Sequence, residues 1–361
     1  MSAADTLERA LRYPLDETLP PRGAAIEVAP GVKWLRLALP FALDHINLWL
    51  LRDRLHGREG WTVVDCGIDR AESRADWTQV FATALDGLPI VRVLVTHMHP
   101  DHMGLAHWLC ERWAAPLWMS ATDYLAARNA CELAENFGGE RMAAYFASHG
   151  LRDEQHLAQV RARKSYYRQL VPAVPPTYTR LHDGQPVRIG GHDWRCIAGW
   201  GHAPEHMALD CAALGVLISG DMVLPRISTN VSVYEQEPEA DALRLFLHSI
   251  DRFRPLPAHT LVLPSHGKPF VGLHTRIDQL HAHHHERLEE LMQAARERPV
   301  CAHDVLPVLF KRPLDLHQTT FALGEAVAHL HWLWHGGQLA RTQDAQGVWR
   351  FAPPAPGRDN G

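Results

Sequence analysis

The most constraining feature of the chain is the segment from His97 to His102, which places three imidazoles and one carboxylate within six positions. It follows directly after the apolar residues 91–95, a pattern typical of a buried strand. Neutral imidazole and carboxylate are the ligands that suit divalent zinc, iron or manganese. Because one ion is usually held by three protein ligands and a water, four candidates this close together indicate two ions.

Two ions need further ligands from other parts of the chain. Three more candidates each follow a short apolar segment that is typical of a strand: His202, Asp221 and His266. For His202 the alternative is His206, four positions later. The sequence therefore predicts that four strand ends deliver metal ligands to one place, with a carboxylate available to bridge the ions.

With these motifs in this order, the chain resembles the metallo-beta-lactamase superfamily over roughly residues 26–290. That family carries a His-x-His-x-Asp-His loop, a Gly-His, a Gly-Asp and a late His. The resemblance implies one metal held by His97, His99 and His202, a second held by Asp101, His102 and His266, and a bridge formed by Asp221. It also implies that Asp65, at the end of an earlier strand, orients the ligand loop without binding a metal.

The carboxylate at position 221 also indicates the chemistry. Beta-lactamases of this family typically have a thiol there, whereas Asp221 resembles the glyoxalase-like and ribonuclease-like branches, so antibiotic hydrolysis is not expected. Solvent held between two divalent ions loses a proton near neutral pH, and the resulting hydroxide is the expected nucleophile. We expect Asp101 and Asp221 to be the catalytic carboxylates, and we expect zinc at the site, with iron and manganese as the alternatives.

The alternation of apolar segments predicts an α/β fold. A strand meander is predicted over residues 32–64, with a charged turn at residues 52–58, and residues 187–264 repeat the strand and helix pattern. Together with the resemblance, this implies a four-layer αββα sandwich of two mixed sheets flanked by helices.

Five segments are expected along the chain: a loose N-terminal segment 1–25, a catalytic domain 26–297, within it a helical insert over roughly 121–170, a winged-helix-like domain 298–352 and a tail 353–361. Within the C-terminal domain, helices at 304–310 and 319–335 precede a hairpin that ends at 348–351. This order resembles the appendage of the lactamase-like group that includes a mitochondrial endoribonuclease and fungal polyketide thioesterases.

Three groups of basic or His residues have competing interpretations. The insert is either a lid or a solvated helix pair with its aromatics packed inward, and as a lid it would bring these cations to an anionic substrate: Arg161, Arg163, Lys164 and Arg168. Arg226 either binds a carboxylate or phosphate, or pairs with acidic residues within 235–241. The run His283 to His285 lies on a helix predicted over 277–295, and we do not assign it to a metal because the site already has its ligands.

Two function classes compete. The preferred one is a hydrolase acting on an ester, thioester or lactone of a small molecule, with the C-terminal domain used for packing, dimerisation or closing one wall of the pocket. The alternative is a metal-dependent nuclease, an endoribonuclease-like phosphodiesterase that holds nucleic acid with that domain. Against it, residues 319–329 contain no lysine or arginine, and Lys311, Arg312 and Arg341 are few. A scaffold without activity is disfavoured by the complete ligand set.

Composition fits a soluble enzyme. The 361 residues are 46% hydrophobic and carry a net charge of −5, which argues against a generally basic surface for nucleic acid. The six scattered cysteines are expected to be reduced core residues. Residues 1–25 show no secretory signal and no run is long enough to span a membrane, so a cytoplasmic protein without a membrane partner is expected. A homodimer is left open.

Overall fold

The computed structural model describes residues 8–133 and 137–355. The chain divides into two compact units, each built from three separate segments. Unit 1 comprises Met1–Ala134, Ser165–Thr229 and Ser249–Ile277, and unit 2 comprises Glu135–Lys164, Asn230–His248 and Asp278–Gly361. Among the described helices, none has the length and apolar character needed to cross a membrane.

The first sheet of unit 1 has seven strands that lie side by side in chain order. They are β1 (Ile26–Ala29), β2 (Val32–Ala38), β3 (His45–Leu55), β4 (Arg58–Val64), β5 (Ile90–Leu94), β6 (Leu117–Ser120) and β7 (Thr179–Leu181). The strands from β1 to β4 pair antiparallel, and those from β4 to β7 pair parallel. Strand β3 is buried along most of its length, as expected for a central strand covered on both faces.

The second sheet of unit 1 has six strands, in the spatial order β13, β12, β11, β10, β9, β8. In chain order they are β8 (Pro186–Ile189), β9 (His192–Gly199), β10 (His206–Cys211), β11 (Val216–Gly220), β12 (Leu261–Pro264) and β13 (Phe270–Val271). The strands β11 and β12 are parallel, and the remaining pairs are antiparallel.

Eleven α-helices are defined in the described ranges of the chain. They are α1 (Ala71–Thr83), α2 (Pro100–Met103), α3 (Ala106–Trp113), α4 (Ala121–Glu132), α5 (Gly139–Ser148), α6 (Glu154–Ala162), α7 (Tyr166–Leu170), α8 (Ala242–Asp251), α9 (Leu273–Glu297), α10 (Leu306–Leu309) and α11 (Leu316–His335). In unit 1, α1 contacts β2 and α3 contacts β5.

The two sheets share one apolar core. Trp34 and Trp49 from the first sheet belong to the same buried cluster as Trp194, Met207 and Leu209 from the second. Burying each large apolar side chain contributes about 1.5–3 kcal/mol, so this shared layer holds the sheets face to face. The predicted α/β sandwich of two mixed sheets with flanking helices is confirmed.

The charged turn predicted at residues 52–58 is wrong in its extent. Strand β3 continues to Leu55 and β4 begins at Arg58, so the turn consists of His56 and Gly57 alone. Both have positive φ angles, 49° and 81°, which a two-residue hairpin turn of type I′ requires.

Three of these charged residues, Arg52, Asp53 and Arg54, have partners in other strands. Arg52 and Arg54 both pair with Glu59 across the hairpin, where the three side chains are partly or largely exposed. Asp53 is buried and lies 3.0 Å from the guanidinium of buried Arg92. A run of charged residues is therefore not sufficient evidence for a turn, because such residues can lie in strands when they form ion pairs across the strands.

Unit 2 contains α5, α6, most of α8 and of α9, α10, α11 and a hairpin of β14 (Ala340–Gln343) and β15 (Trp349–Ala352). The loop before α8 packs on α11, where the Val233 amide donates to the Gly324 carbonyl at 3.1 Å. A Cβ on Gly324 would come within 2.7 Å of the Ser232 side chain, so only glycine allows this approach. From α5, the Tyr145 hydroxyl donates to the Val233 carbonyl at 3.2 Å.

The helical character predicted for residues 121–170 is confirmed within the described residues, which form α4 to α7. These helices divide between the units, because α4 and α7 belong to unit 1 and α5 and α6 to unit 2. The predicted order of helix, helix and hairpin is also present in α10, α11 and β14–β15. The winged-helix assignment and the domain boundaries at 298 and 352 stay predictions.

Candidate metal centre

The structure brings the seven predicted ligands together in two groups within unit 1. In each group the ligand atoms all lie within 4.8 Å of one another. The first group is His97, His99, His202 and Asp221, and the second group is Asp101, His102 and His266. No other set of three or more such side chains meets this criterion in the described part of the chain.

Each ligand segment lies at the C-terminal end of a strand. The loop from His97 to His102 follows β5 and runs into α2, and His202 follows β9. Asp221 comes directly after β11, and His266 follows the neighbouring parallel strand β12. The expectation that four strand ends meet is therefore confirmed.

The ligand atoms of the first group lie close enough together to share one cation. His99 Nδ1 lies 2.9 Å from His97 Nε2 and 3.1 Å from His202 Nε2, and the latter two nitrogens are 3.2 Å apart. Asp221 Oδ2 lies 3.3 Å from His202 Nε2. Tetrahedral ligands about 2.05 Å from a zinc ion are about 3.3 Å from one another, so these distances suit one cation.

The second group is arranged around the other oxygen of Asp221. Asp101 Oδ2 lies 3.6 Å from His102 Nε2 and 3.4 Å from His266 Nε2. Asp221 Oδ1 lies 3.5 Å from each of these nitrogens. The two oxygens of one carboxylate thus face different groups.

Two of these atoms make no hydrogen bond within the described structure. His102 Nε2 and Asp221 Oδ1 are both buried and accept or donate no hydrogen bond of standard geometry, although they lie 3.5 Å apart. A buried polar atom left unpaired costs about 1–3 kcal/mol, and cation ligation removes that cost. The donor set and the unpaired atoms therefore fit divalent metal ions.

Burial and neighbouring charges shift the pKa values of these side chains. Burial, reinforced by His202, lowers the pKa of His99 to about 3, so its ring is neutral at physiological pH. Burial opposes ionisation of Asp101, but the imidazoles of His102 and His266 lower its pKa to about 2. Burial also opposes charge on His266, yet Asp221 and Asp101 raise its pKa to about 10. A cation bound at the second group would therefore have to displace a proton from His266.

Asp65 fixes the ligand loop as expected. Its Oδ2 accepts a hydrogen bond from His102 Nδ1 at 2.8 Å, and its Oδ1 accepts one from the Thr96 amide at 2.8 Å. Because Nδ1 donates to Asp65, Nε2 is the nitrogen that faces the second group. Burial opposes charge on this ring, but Asp65, Asp101 and Asp221 raise its pKa well above the ordinary value, so Nε2 must lose a proton before it can bind a cation. The positive φ of Asp65, 63°, directs the chain out of β4 at this point.

His206, the alternative to His202, lies outside both groups. The Asp221 amide donates to His206 Nε2 at 3.2 Å, so the ring supports the backbone of a candidate ligand. Gly220 makes this possible, since a Cβ there would come within 2.1 Å of the same nitrogen. His206 is buried, and burial lowers its pKa well below the ordinary value.

Sequence reasoning missed two residues of β3 that hold the His266 loop. His266 Nδ1 donates to the carbonyl of His45 at 2.7 Å. The side-chain amide of Asn47 donates to the carbonyls of Pro264 and Gly267 at 2.8 and 2.9 Å, on either side of His266. The one available signal was a polar Asn47 between apolar residues of a predicted strand.

The profile of the metallo-beta-lactamase superfamily matches residues 42–303, which is most of the chain. The chain belongs to the metallo-beta-lactamase superfamily. A second profile, the metallo-beta-lactamase-like C-terminal domain, matches residues 288–354.

Proteins similar to this chain also carry names of this superfamily or of metal-dependent hydrolases. It is 22% identical over 303 residues to a Bacillus subtilis (strain 168) protein named "Probable metallo-hydrolase YqjP", covering 82% of the chain and 90% of that protein. A beta-lactamase domain protein from Burkholderia ambifaria is 54% identical with a TM-score of 0.92, over 97% of this chain and 100% of that one. The metallo-beta-lactamase family protein TTHA1429 from Thermus thermophilus is 27% identical with a TM-score of 0.75, over 91% and 100%. The family and the relative's name indicate a metal-dependent hydrolase.

The structure gives acidic partners to two basic residues whose roles the sequence left open. Arg226 Nε lies 3.8 Å from Glu8 Oε2, an acidic partner outside the predicted stretch 235–241. Arg161 pairs with Glu140 at 3.2 Å and Glu154 at 3.5 Å within unit 2, which favours the solvated-helix interpretation for this residue.

The His-rich helix α9 contributes to neither of the two candidate metal groups in the described part of the chain. His284 on α9 is buried, and its Nδ1 lies 3.1 Å from Nε2 of buried His329 on α11. His329 Nδ1 donates to the Glu325 carbonyl at 2.8 Å, so its Nε2 accepts from His284. This imidazole pair is accounted for by packing within unit 2.

Proposed function

We propose that this superfamily member is a dinuclear metal-dependent hydrolase that cleaves an ester, thioester or lactone of a small molecule. The observation that carries the proposal is the position of Asp221. Its Oδ2 lies 3.3 Å from His202 in the first group, while its Oδ1 lies 3.5 Å from His102 and His266 in the second. One carboxylate placed in this way suits a bridge between two cations. Zinc is the proposed metal, and iron or manganese suits the same donors.

Two bound divalent cations would lower the pKa of a solvent molecule and stabilise negative charge that develops on the substrate carbonyl oxygen. The side chains contribute neutral imidazoles and ionised carboxylates, with Asp101 and Asp221 as the proposed catalytic carboxylates. The nearby Cys66 is not a suitable nucleophile, because burial raises the pKa of its thiol well above the ordinary value. Hydrolysis without a covalent intermediate is therefore the simplest proposal.

Unit 2 presents few basic residues that could bind the phosphates of a nucleic acid. Helix α11 contains no lysine or arginine, whereas a helix that contacts a phosphate backbone normally carries several. Arg341, one of the few cations nearby, lies between the rings of Trp334 and Trp349, with its guanidinium carbon 3.7 and 4.3 Å from their centroids. Arg341 also pairs with Glu239. These contacts favour a small-molecule substrate over the nuclease alternative.

The test combines metal analysis with a substrate panel of thioesters, esters, lactones, bis-aryl phosphodiesters and single-stranded RNA. We expect two equivalents of divalent metal, turnover of a thioester or ester, and loss of that turnover to background in Asp221→Ala. The matched control is Asp193→Ala, which removes an exposed carboxylate that pairs with Arg188. Robust RNA cleavage with a steep salt dependence, or esterase activity that survives Asp221→Ala, would contradict the proposal.

A further inference from the structure

Asp123 has no part in the proposed function described above. It joins the two loops that carry the imidazoles of the first group. Its side chain is buried in the first turn of α4. Oδ1 accepts the amide of Met98 at 2.7 Å, and Oδ2 accepts the amide of Glu205 at 2.6 Å. Met98 stands between His97 and His99, and Glu205 lies three residues after His202. One carboxylate therefore holds both loops.

Tyr167 on α7 fixes the other backbone group of the same residue. Its buried hydroxyl donates to the carbonyl of Met98 at 2.5 Å. With the amide bound to Asp123, both polar backbone groups of Met98 are engaged by buried side chains of unit 1. The peptide between the two histidines is thus held in one orientation, which sets the directions of both imidazoles.

The second group has supports of its own in β3. Asn47 donates to the carbonyls of Pro264 and Gly267, and the His45 carbonyl accepts from His266 Nδ1. Neither Asp123 nor Tyr167 makes a hydrogen bond with Asp101, His102 or His266 among those that the described structure shows.

We propose that Asp123 is a positioning residue for one cation of the pair. It aligns His97, His99 and His202 by holding their two loops, whereas the ligands of the other cation are held by Asp65 and by β3. This inference rests on the proposed function, since it assigns supports to the two proposed cation positions. Substituting a residue that orients metal ligands without binding the metal typically lowers metal affinity by about 10- to 100-fold. We expect an effect of this size, confined to the first group.

The deciding variant is Asp123→Asn, which keeps the shape of the side chain. A carboxylate accepts two amide hydrogen bonds, whereas an asparagine has one oxygen acceptor, and its NH₂ would face an N–H donor. One loop is therefore released. Tyr167→Phe removes the hydroxyl that binds Met98 and leaves the ring, so it serves as a milder second variant if Asp123→Asn folds poorly.

The measurement is cation content of the full-length protein loaded with Zn²⁺ and dialysed against chelator of increasing strength, with the occupancy of each position read by anomalous scattering from crystals. We expect Asp123→Asn to lower the affinity of the first group for its cation by about 10- to 100-fold, so that a weaker chelator removes this cation than in the parent protein. Tyr167→Phe should have the same effect to a smaller degree. The cation of the second group should be retained. Asn47→Ala should show the reverse order.

A loosened helix is the competing explanation, and Ser120→Ala tests it. Ser120 Oγ accepts the Asp123 amide at 3.3 Å at the start of α4, and this bond lies within the helix cap and not between α4 and either loop. If Ser120→Ala reproduces the selective loss, or if Asp123→Asn releases both cations equally or neither, the assignment is overturned. A parent protein that binds no cation at these residues would instead refute the proposed function, so the two failures are distinguishable.

Discussion

Glu325 carries a partly buried carboxyl on α11, within unit 2. Its Oε2 accepts a hydrogen bond from Asn230 Nδ2 at 3.2 Å. Burial raises the pKa of Glu325 from the ordinary 4.5 to about 7, and Asn230 offsets only part of this. The folded protein therefore holds a proton here that the unfolded chain releases between these two pH values.

This shift predicts a pH-dependent stability change. Because the folded state binds more protons in the window, stability falls as pH rises from about 4.5 to 7 and stays lower above it. Glu325→Gln should raise the free energy of unfolding by about 1–3 kcal/mol at pH 8 and leave it unchanged near pH 4.5. Urea unfolding of both proteins at the two pH values checks this. An equal effect at both values would show that the carboxyl is not perturbed.

At this scale the sequence predicted the candidate ligands far better than their supports. The seven candidate ligands could be proposed because His and Asp recur at the ends of apolar segments, which is a local signal, and because the order of the motifs resembles that of the family, which favoured His202 over His206. Asp123 and Asn47 could not, because each contacts backbone groups far away in the chain and neither forms part of a motif. Only the folded chain shows that Asp123 meets both Met98 and Glu205.

At the scale of secondary structure, the close approach of α2 to the end of β4 depends on Gly104. A Cβ there would come within 2.6 Å of the Gly67 carbonyl oxygen and 2.6 Å of Ile68 Cα, both of which are backbone atoms. The Leu105 amide also donates to the Gly67 carbonyl at 2.9 Å. The ligand helix therefore cannot move away without breaking this contact.

Gly104→Ala should destabilise the protein by about 1–3 kcal/mol and weaken cation binding, because α2 carries Asp101 and His102. The control is Gly87→Ala, where a Cβ meets nothing within 4 Å and the remaining cost is its left-handed backbone, φ 72°. Thermal unfolding and zinc titration of both variants provide the comparison. Equal losses in the two would mean that the contact at Gly67 is unimportant.

Helices and strands could be predicted where the hydrophobic periodicity of the sequence determines them. They were harder to predict where pairing between strands determines their ends. The strand β5 was predicted at 91–95 and is found at Ile90–Leu94, and α11 begins only three residues before its predicted start. The end of β3 was misplaced because Arg52 and Arg54 suggested a turn. Their ion pairs with Glu59 arise only after the hairpin has formed.

At the scale of the whole molecule, the chain passes from one unit to the other several times. Unit 2 packs the C-terminal helix α11 against the loop at 230–234, which also receives the Tyr145 hydroxyl. Periodicity could not predict such a discontinuous unit, because it describes neighbours in sequence. The domain boundary at residue 298 is thus a sequence prediction that truncation can test.

We expect removal of residues 298–361 to give an aggregating protein, since it would uncover buried residues of unit 2 that contact α11, such as Val233 beside Gly324 and His284 beside His329. The control is removal of residues 353–361, beyond β15. Solubility, size-exclusion behaviour and unfolding midpoints compare the two. A shortened chain 1–297 that stays monomeric and folded would show that the C-terminal segment is an independent domain.

The wide spacing of the candidate ligands along the chain has a consequence for biosynthesis. His97 emerges from the ribosome long before His266, and the intervening strands must be paired before the two can meet. Cation capture should therefore be a late event of maturation, completed after translation has passed β12. Loaded metal would then report that both sheets have assembled correctly.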